Sequence, residues 1–138
     1  TPPFVDYNPQ AEKVAQEAAR ILVVDDSITT RTLERNILSG AGYRVVTAND
    51  GVEALALLET EKFDLIVSDI EMPRIDGFQL VEWVRQSSVY GQLPIILVTS
   101  LESQEHRERG LKAGADAYIV KSGFEQAVLL ETIRQFVG

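Results

Sequence analysis

Residues 21–26 read Ile-Leu-Val-Val-Asp-Asp: four branched apolar residues in a row, closed by two acids. A run that short, apolar on both faces and rich in Val and Ile, fits a buried parallel strand. Four more such runs follow at Tyr43–Ala48, Phe63–Ser68, Ile95–Val98 and Ala117–Val120. The stretches between them carry helical spacing. Leu33 with Ile37, Leu55 with Leu58, Val81 with Val84 and Leu129 with Ile133 mark the expected inward stripes. Gly40, Gly42, Gly91 and Gly114 punctuate the helix ends. The fourth helix, near Ser103–Ala113, is short and polar and should be the least anchored.

Five β-α units in succession imply an α/β fold: an open, doubly wound parallel sheet with helices on both faces. Right-handed crossovers leave few topologies, and the expected one is flavodoxin-like, five-stranded, with strand order 2-1-3-4-5. The expected division of the chain is a linker over 1–19 and one domain over 20–138. Three prolines within Thr1–Pro9 suggest a tether. Asn8-Pro9 then reads as a helix start, so 9–19 is either a short helix or a frayed tail. Residue 1 is Thr rather than Met, so an excised piece of a longer chain is expected.

The 138 residues are 45% hydrophobic, enough for one core without covalent staples. There is no cysteine, which excludes disulfides and thiolate metal sites and fits a reducing, cytoplasmic setting. No apolar run approaches the ~20 residues needed to span a bilayer, so no membrane contact is expected. A net charge of −8 speaks against nucleic-acid binding, which needs clustered Lys and Arg.

In open α/β sheets the chemistry gathers at the carboxyl ends of the strands. Asp25 and Asp26 follow the first strand, Asp69 follows the third, Thr99 and Ser100 end the fourth, and Lys121 ends the fifth. Strand 2 ends in Ala48-Asn49 and offers no chemistry. Taken singly, each feature has an ordinary explanation. Asp25-Asp26-Ser27 is a helix-capping sequence, Thr99-Ser100 are loop hydroxyls, and a Lys after a strand is commonly solvated. Asp69 is harder to explain that way, because it closes the central buried strand and a buried carboxylate needs a partner. In the expected strand order, strands 1, 3, 4 and 5 are neighbours, so all these groups meet on one edge.

Three close carboxylates repel one another unless a cation intervenes. Mg²⁺ suits such a site, being hard, oxygen-seeking and content with one or two carboxylates plus water. Asp26 and Asp69 would hold it, Asp25 directly or through water, and the backbone carbonyl of Glu71 would add a ligand. Asp69 is then a carboxylate nucleophile that yields an acyl phosphate, with the metal neutralising phosphate oxygens. Lys121 supplies a point charge and Thr99 a hydroxyl donor to the phosphoryl group. Pro73 and Gly77 shape the loop that exposes Asp69.

ILVVDD (21–26), SDIEMPRIDG (68–77), IILVTS (95–100) and GADAYIVK (114–121), in this order and spacing, resemble the receiver domain of two-component response regulators. The resemblance implies that Asp69 is the phosphoacceptor, Asp25 and Asp26 the acidic metal pair, and Thr99 and Lys121 switch residues. It further implies that Tyr118 is the aromatic switch, moving inward as Thr99 turns to the phosphoryl group. Apart from the family, Tyr118 reads as a half-buried strand residue with its hydroxyl near water. The implied function is phosphotransfer from a phosphohistidine onto Asp69, with slow autodephosphorylation, in a signalling module rather than an enzyme.

One departure stands out. Receivers usually carry Pro after the Lys, joined by a cis peptide, whereas this chain reads Lys121-Ser122-Gly123-Phe124. A cis bond before Ser costs about 2.5–4 kcal/mol, so the loop is either rebuilt in trans or strained. VDDSITTRTLERNIL (24–38), VTSLES (98–103) and VKSGFEQ (120–126) look most like the C-terminal receiver of hybrid chemotaxis-type histidine kinases. That resemblance implies a histidine kinase or phosphohistidine domain as partner, in the same parent chain or another, together with chemotaxis-type signalling proteins. Two other readings remain open. One is a phosphate-independent interaction module of the same fold, which the missing proline favours and the intact acidic pair, Asp69 and Thr99 speak against. The other is an aspartate-nucleophile phosphatase with Glu71 as general acid, which lacks a cap domain. His106, on the polar fourth helix, reads as a surface residue.

Overall fold

The computed structural model describes residues 18–121 and 126–138. Ten elements alternate along the described residues. They are β1 (Arg20–Val24), α1 (Ile28–Gly40), β2 (Arg44–Ala48), α2 (Gly51–Thr60), β3 (Leu65–Ser68), α3 (Gly77–Arg85), β4 (Ile95–Thr99), α4 (Gln104–Ala113), β5 (Ala117–Val120) and α5 (Gln126–Val137). The strands form one parallel sheet in the order β2-β1-β3-β4-β5. The fold is the flavodoxin-like α/β architecture expected. The helix considered for 9–19 and the Lys121-Ser122 peptide bond lie outside the described residues, save for Ala18 and Ala19, which lead into β1.

Successive side chains of a strand point to opposite faces, and the core divides accordingly. Leu22, Val24, Ile66, Ile95 and Leu97 face α2 and α3, packing on Ala54, Leu58, Phe78, Val81 and Val84. Ile21, Val23, Leu65, Val67, Ile96 and Val98 face the other way, onto Ile37 and Leu38 of α1 and Leu129 and Ile133 of α5. The central strands β1, β3 and β4 are wholly buried apart from Arg20, whereas the edge strands β2 and β5 are half-exposed.

The expected inward stripe of α1 needs correction. Leu33 is 53% exposed, and the residue that turns inward beside Ile37 and Leu38 is Glu34, 3% exposed. Phe63 and Asp64 precede β3 rather than belonging to it, and β4 extends one residue further, through Thr99. α4 buries only Gly110, in keeping with its polar sequence. Gly110 is small for a reason: a methyl group there would sit 2.9 Å from the Tyr118 ring.

Candidate functional site

Register brings the strand ends level. Val24 pairs with Ala48 on one side and with Ser68 on the other, so Asp25 and Asp69 leave adjacent strands side by side. Two backbone bonds extend the ladder past the strand ends, from Asp25 N–H to Ala48 C=O (3.2 Å) and from Asp69 N–H to Val24 C=O (2.9 Å). Ser27, not either acid, caps α1, its hydroxyl accepting from Thr30 N–H at 3.3 Å. The two acids are thereby released from the ordinary capping role.

Asp25, Asp26 and Asp69 each offer a carboxylate oxygen within 4.8 Å of the others. Asp25 is 1% exposed and Asp69 is buried, while Asp26 is open to solvent. Asp25 Oδ1 accepts from Ser27 N–H at 2.8 Å, but its buried Oδ2 has no hydrogen-bond partner. Asp69 Oδ1 accepts from Ile70 N–H at 2.7 Å. Lys121 Nζ stands 3.4 Å from Asp69 Oδ2 and 3.5 Å from Asp25 Oδ2, bridging the two acids. A buried carboxylate oxygen that accepts no hydrogen bond, with only the Lys121 ammonium near it and two further carboxylates beside it, suits a hard divalent cation.

Burial pushes the Asp69 carboxyl above its ordinary range, with Lys121 opposing and Asp25 adding to the rise. Burial alone would lower the Lys121 ammonium, but Asp69 and Asp25 outweigh it and hold the lysine above its ordinary value. A fourth acid, Glu34, belongs to the same electrostatic neighbourhood. Burial, reinforced by Asp25, raises its pKa from 4.5 to about 8, so it is largely protonated at neutral pH. Sequence reasoning missed Glu34, because an acid on a helix ordinarily reads as surface. Its one detectable signal was the position three residues before Ile37 and four before Leu38, on a shared helix face.

Thr99 is fully buried at the end of β4, and its Oγ1 accepts from Leu101 N–H at 3.2 Å. Tyr118 is half-buried, but its hydroxyl does not lie in water as the residue pattern suggested. It donates to Leu101 C=O at 2.6 Å. Thr99 and Tyr118 therefore hold the two backbone groups of the same residue, and Arg107 lies over the Tyr118 ring, 5.6 Å from its centroid. The Glu71 side chain is exposed and accepts from Ser100 Oγ at 2.8 Å. His106 stacks on Phe78 and sits against Ser103 Oγ at 2.7 Å, outside the acid cluster.

The loop after Asp69 folds back tightly. Gly77 N–H donates to Ile70 C=O at 2.9 Å, and a methyl group on Gly77 would lie 2.4 Å from the Asp69 carbonyl oxygen. Only glycine fits so close to the backbone of the central acid. Strand 2, read as chemically silent, takes part in this loop: Asp50, two residues past its end, pairs with Arg74.

The family described as response regulator receiver domain matches residues 21–134. A gliding motility regulatory protein of Myxococcus xanthus is 38% identical over 125 residues, which is 91% of this chain and 16% of that protein. The chain thus spans only a small part of the length of that relative. Chemotaxis protein CheY4 of Vibrio cholerae, crystallised at pH 4.0, superimposes with a TM-score of 0.81 at 41% identity, covering 86% of this chain and 98% of that one. The receiver domain of sensor histidine kinase PA1611 of Pseudomonas aeruginosa, solved with magnesium coordinated in its active-site cleft, gives 0.80 at 30% identity, covering 88% and 98%.

Proposed function

This chain belongs to the family of response regulator receiver domains, and from that premise we propose that it takes a phosphoryl group from a phosphohistidine onto Asp69. The observation that carries the proposal is the bridging of Asp25 Oδ2 and Asp69 Oδ2 by Lys121, where the buried Asp25 Oδ2 accepts no hydrogen bond. In the step, an Asp69 oxygen forms a bond to phosphorus while the bond from phosphorus to the imidazole nitrogen breaks. The imidazole keeps the electron pair of the broken bond. Asp69 Oδ2 is the oxygen assigned to the attack, since it is the one that faces Lys121, while Oδ1 accepts from Ile70 N–H.

Asp25, Asp26, Asp69 and the backbone carbonyl of Glu71 are the groups assigned to Mg²⁺. When bound, that ion supplies positive charge to the phosphoryl oxygens during transfer. Lys121 would supply a second positive charge to the phosphoryl group, and its raised pKa keeps it protonated. Thr99 would exchange its bond with Leu101 N–H for one to the phosphoryl oxygen, and Tyr118 would follow by releasing Leu101 C=O. Output then runs through α4, β5 and α5.

We place the domain in the cytoplasm and in a hybrid, chemotaxis-type histidine kinase, with the linker over 1–19 joining it to upstream domains. Its partner is a phosphohistidine domain of that chain or of another, and its acidity leaves nucleic-acid contact to other domains. Among the described residues no helix is long and apolar enough to cross a membrane. Incubation with Mg²⁺ and acetyl phosphate, followed by intact-mass measurement, tests the reading. One phosphoryl group should be gained by the native protein and none by Asp69→Asn. An unmodified native protein would favour the phosphate-independent interaction module instead.

A further inference from the structure

Arg74 is the one described residue other than glycine with a positive φ, 68°. Ile75 N–H donates to Pro73 C=O at 2.8 Å, so Arg74 is the centre of a three-residue turn in its rare, strained form. A long side chain is an unexpected occupant of such a position, where glycine or asparagine would cost less. What accompanies the strained backbone is an ion pair. The Arg74 guanidinium meets the buried carboxylate of Asp50, while the rest of the arginine is largely exposed.

Asp50 is itself held firmly. It caps α2, with Oδ1 accepting from Glu53 N–H at 2.8 Å, and Glu53 Oε2 returns a bond to Asn49 N–H at 3.0 Å. The bond from Glu53 N–H leads the causes that keep the Asp50 carboxyl below its ordinary range, with Arg74 adding to it against the opposing effect of burial. Beside the ion pair, Ile75 packs on the first residue of the same helix: a methyl group on Gly51 would lie 3.0 Å from Ile75 Cβ. The loop from Asp69 to Gly77 is therefore fastened to the start of α2 at two adjacent points, one ionic and one apolar. Glu71, whose carbonyl is assigned to the cation, lies within that fastened loop.

We infer that Arg74 and Asp50 form a positioning pair for cation binding, holding the 70–76 loop in the shape that presents the Glu71 carbonyl. The inference rests on the phosphoacceptor reading above, and it adds the end of strand β2 to the groups that prepare the site. Neither residue touches the reacting atoms. Loss of the pair weakens Mg²⁺ binding while leaving the acids and Lys121 in place.

The substitutions separate the contributions. Asp50→Asn keeps a good helix cap and removes the charge. Arg74→Gly accepts the positive φ and removes the guanidinium, while Arg74→Lys keeps a cation within reach of Asp50. Calorimetric titration with Mg²⁺ should give a Kd raised by about tenfold in Asp50→Asn and Arg74→Gly, the range for groups that orient metal ligands. Arg74→Lys should recover most of the affinity. At saturating Mg²⁺, the acetyl phosphate reaction of all three variants should return to within about twofold of the native rate, a pattern that general destabilisation does not produce. In metal-free protein, amide exchange at Ile75 and Gly77 should speed up in the two uncharged variants. Native-like Mg²⁺ affinity in both Asp50→Asn and Arg74→Gly overturns the inference even if their melting points fall. A native protein that itself binds no Mg²⁺ overturns the phosphoacceptor reading, and this inference with it.

Discussion

Lys121 and Asp69 face each other across the end of the sheet, with Nζ 3.4 Å from Oδ2. Yet the ion pair does not fully offset the burial of the acid, since the Asp69 carboxyl remains raised above its ordinary range. A raised carboxyl contributes stability below its unfolded pKa and loses it as pH rises through the folded value. At neutral pH the charged Asp69 is therefore a net burden on the fold.

Asp69→Ala should accordingly raise the melting temperature in metal-free buffer. A gain of about 1 kcal/mol corresponds to roughly 4 °C for a domain of this size. Mg²⁺ should stabilise the native protein by mass action, by about 2.7 kcal/mol at one hundred times its Kd, and should help Asp69→Ala much less. Thermal unfolding with and without Mg²⁺ measures both. Equal melting points for the native protein in the two buffers would count against a cation site.

Glu34 gives a second test. The native state holds its proton up to about pH 8, whereas an ordinary glutamate releases it near 4.5. The native state thus binds more protons between those values, and stability falls as pH rises through the window. The contribution is fully present below pH 4.5 and gone above 8. Glu34→Gln should flatten the slope of unfolding free energy against pH, by at most about 1.4 kcal/mol per pH unit. Denaturant titrations in Mg²⁺-free buffer across this range would show it. An unchanged slope would mean that Glu34 ionises normally.

Leu101 is held at both backbone groups, by Thr99 and by Tyr118. Tyr118→Phe removes the 2.6 Å bond and should cost about 1 kcal/mol, read by chemical denaturation. Fluorotyrosine at 118 should change its ¹⁹F shift on phosphorylation in the native protein. In Thr99→Ala that shift should be largely lost although phosphorylation still occurs. A full shift in Thr99→Ala would uncouple the two residues.

The sheet was legible because β1, β3 and β4 carry uninterrupted apolar runs, and the strand order those runs imply puts Asp25, Asp69, Thr99 and Lys121 on one edge. Glu34 rather than Leu33 turns inward because adjacent helix positions differ by only 100°, and hydrophobicity alone chose the leucine. Arg74 was illegible for another reason. Its partner Asp50 lies 24 residues away, and a positive φ at arginine has no mark in the sequence. The bond between Tyr118 and Leu101 likewise depends on how a loop returns to the sheet, not on a local pattern.

An acyl phosphate is reduced by borohydride, which turns a phosphorylated aspartate into homoserine and so records where the phosphoryl group stood. After incubation with Mg²⁺ and acetyl phosphate, peptide mass spectrometry should find homoserine at residue 69 alone, and none when Mg²⁺ is chelated. Homoserine at 25 or 26, or equal conversion of residue 69 without the cation, would contradict a site built to hold a divalent ion beside one reactive aspartate.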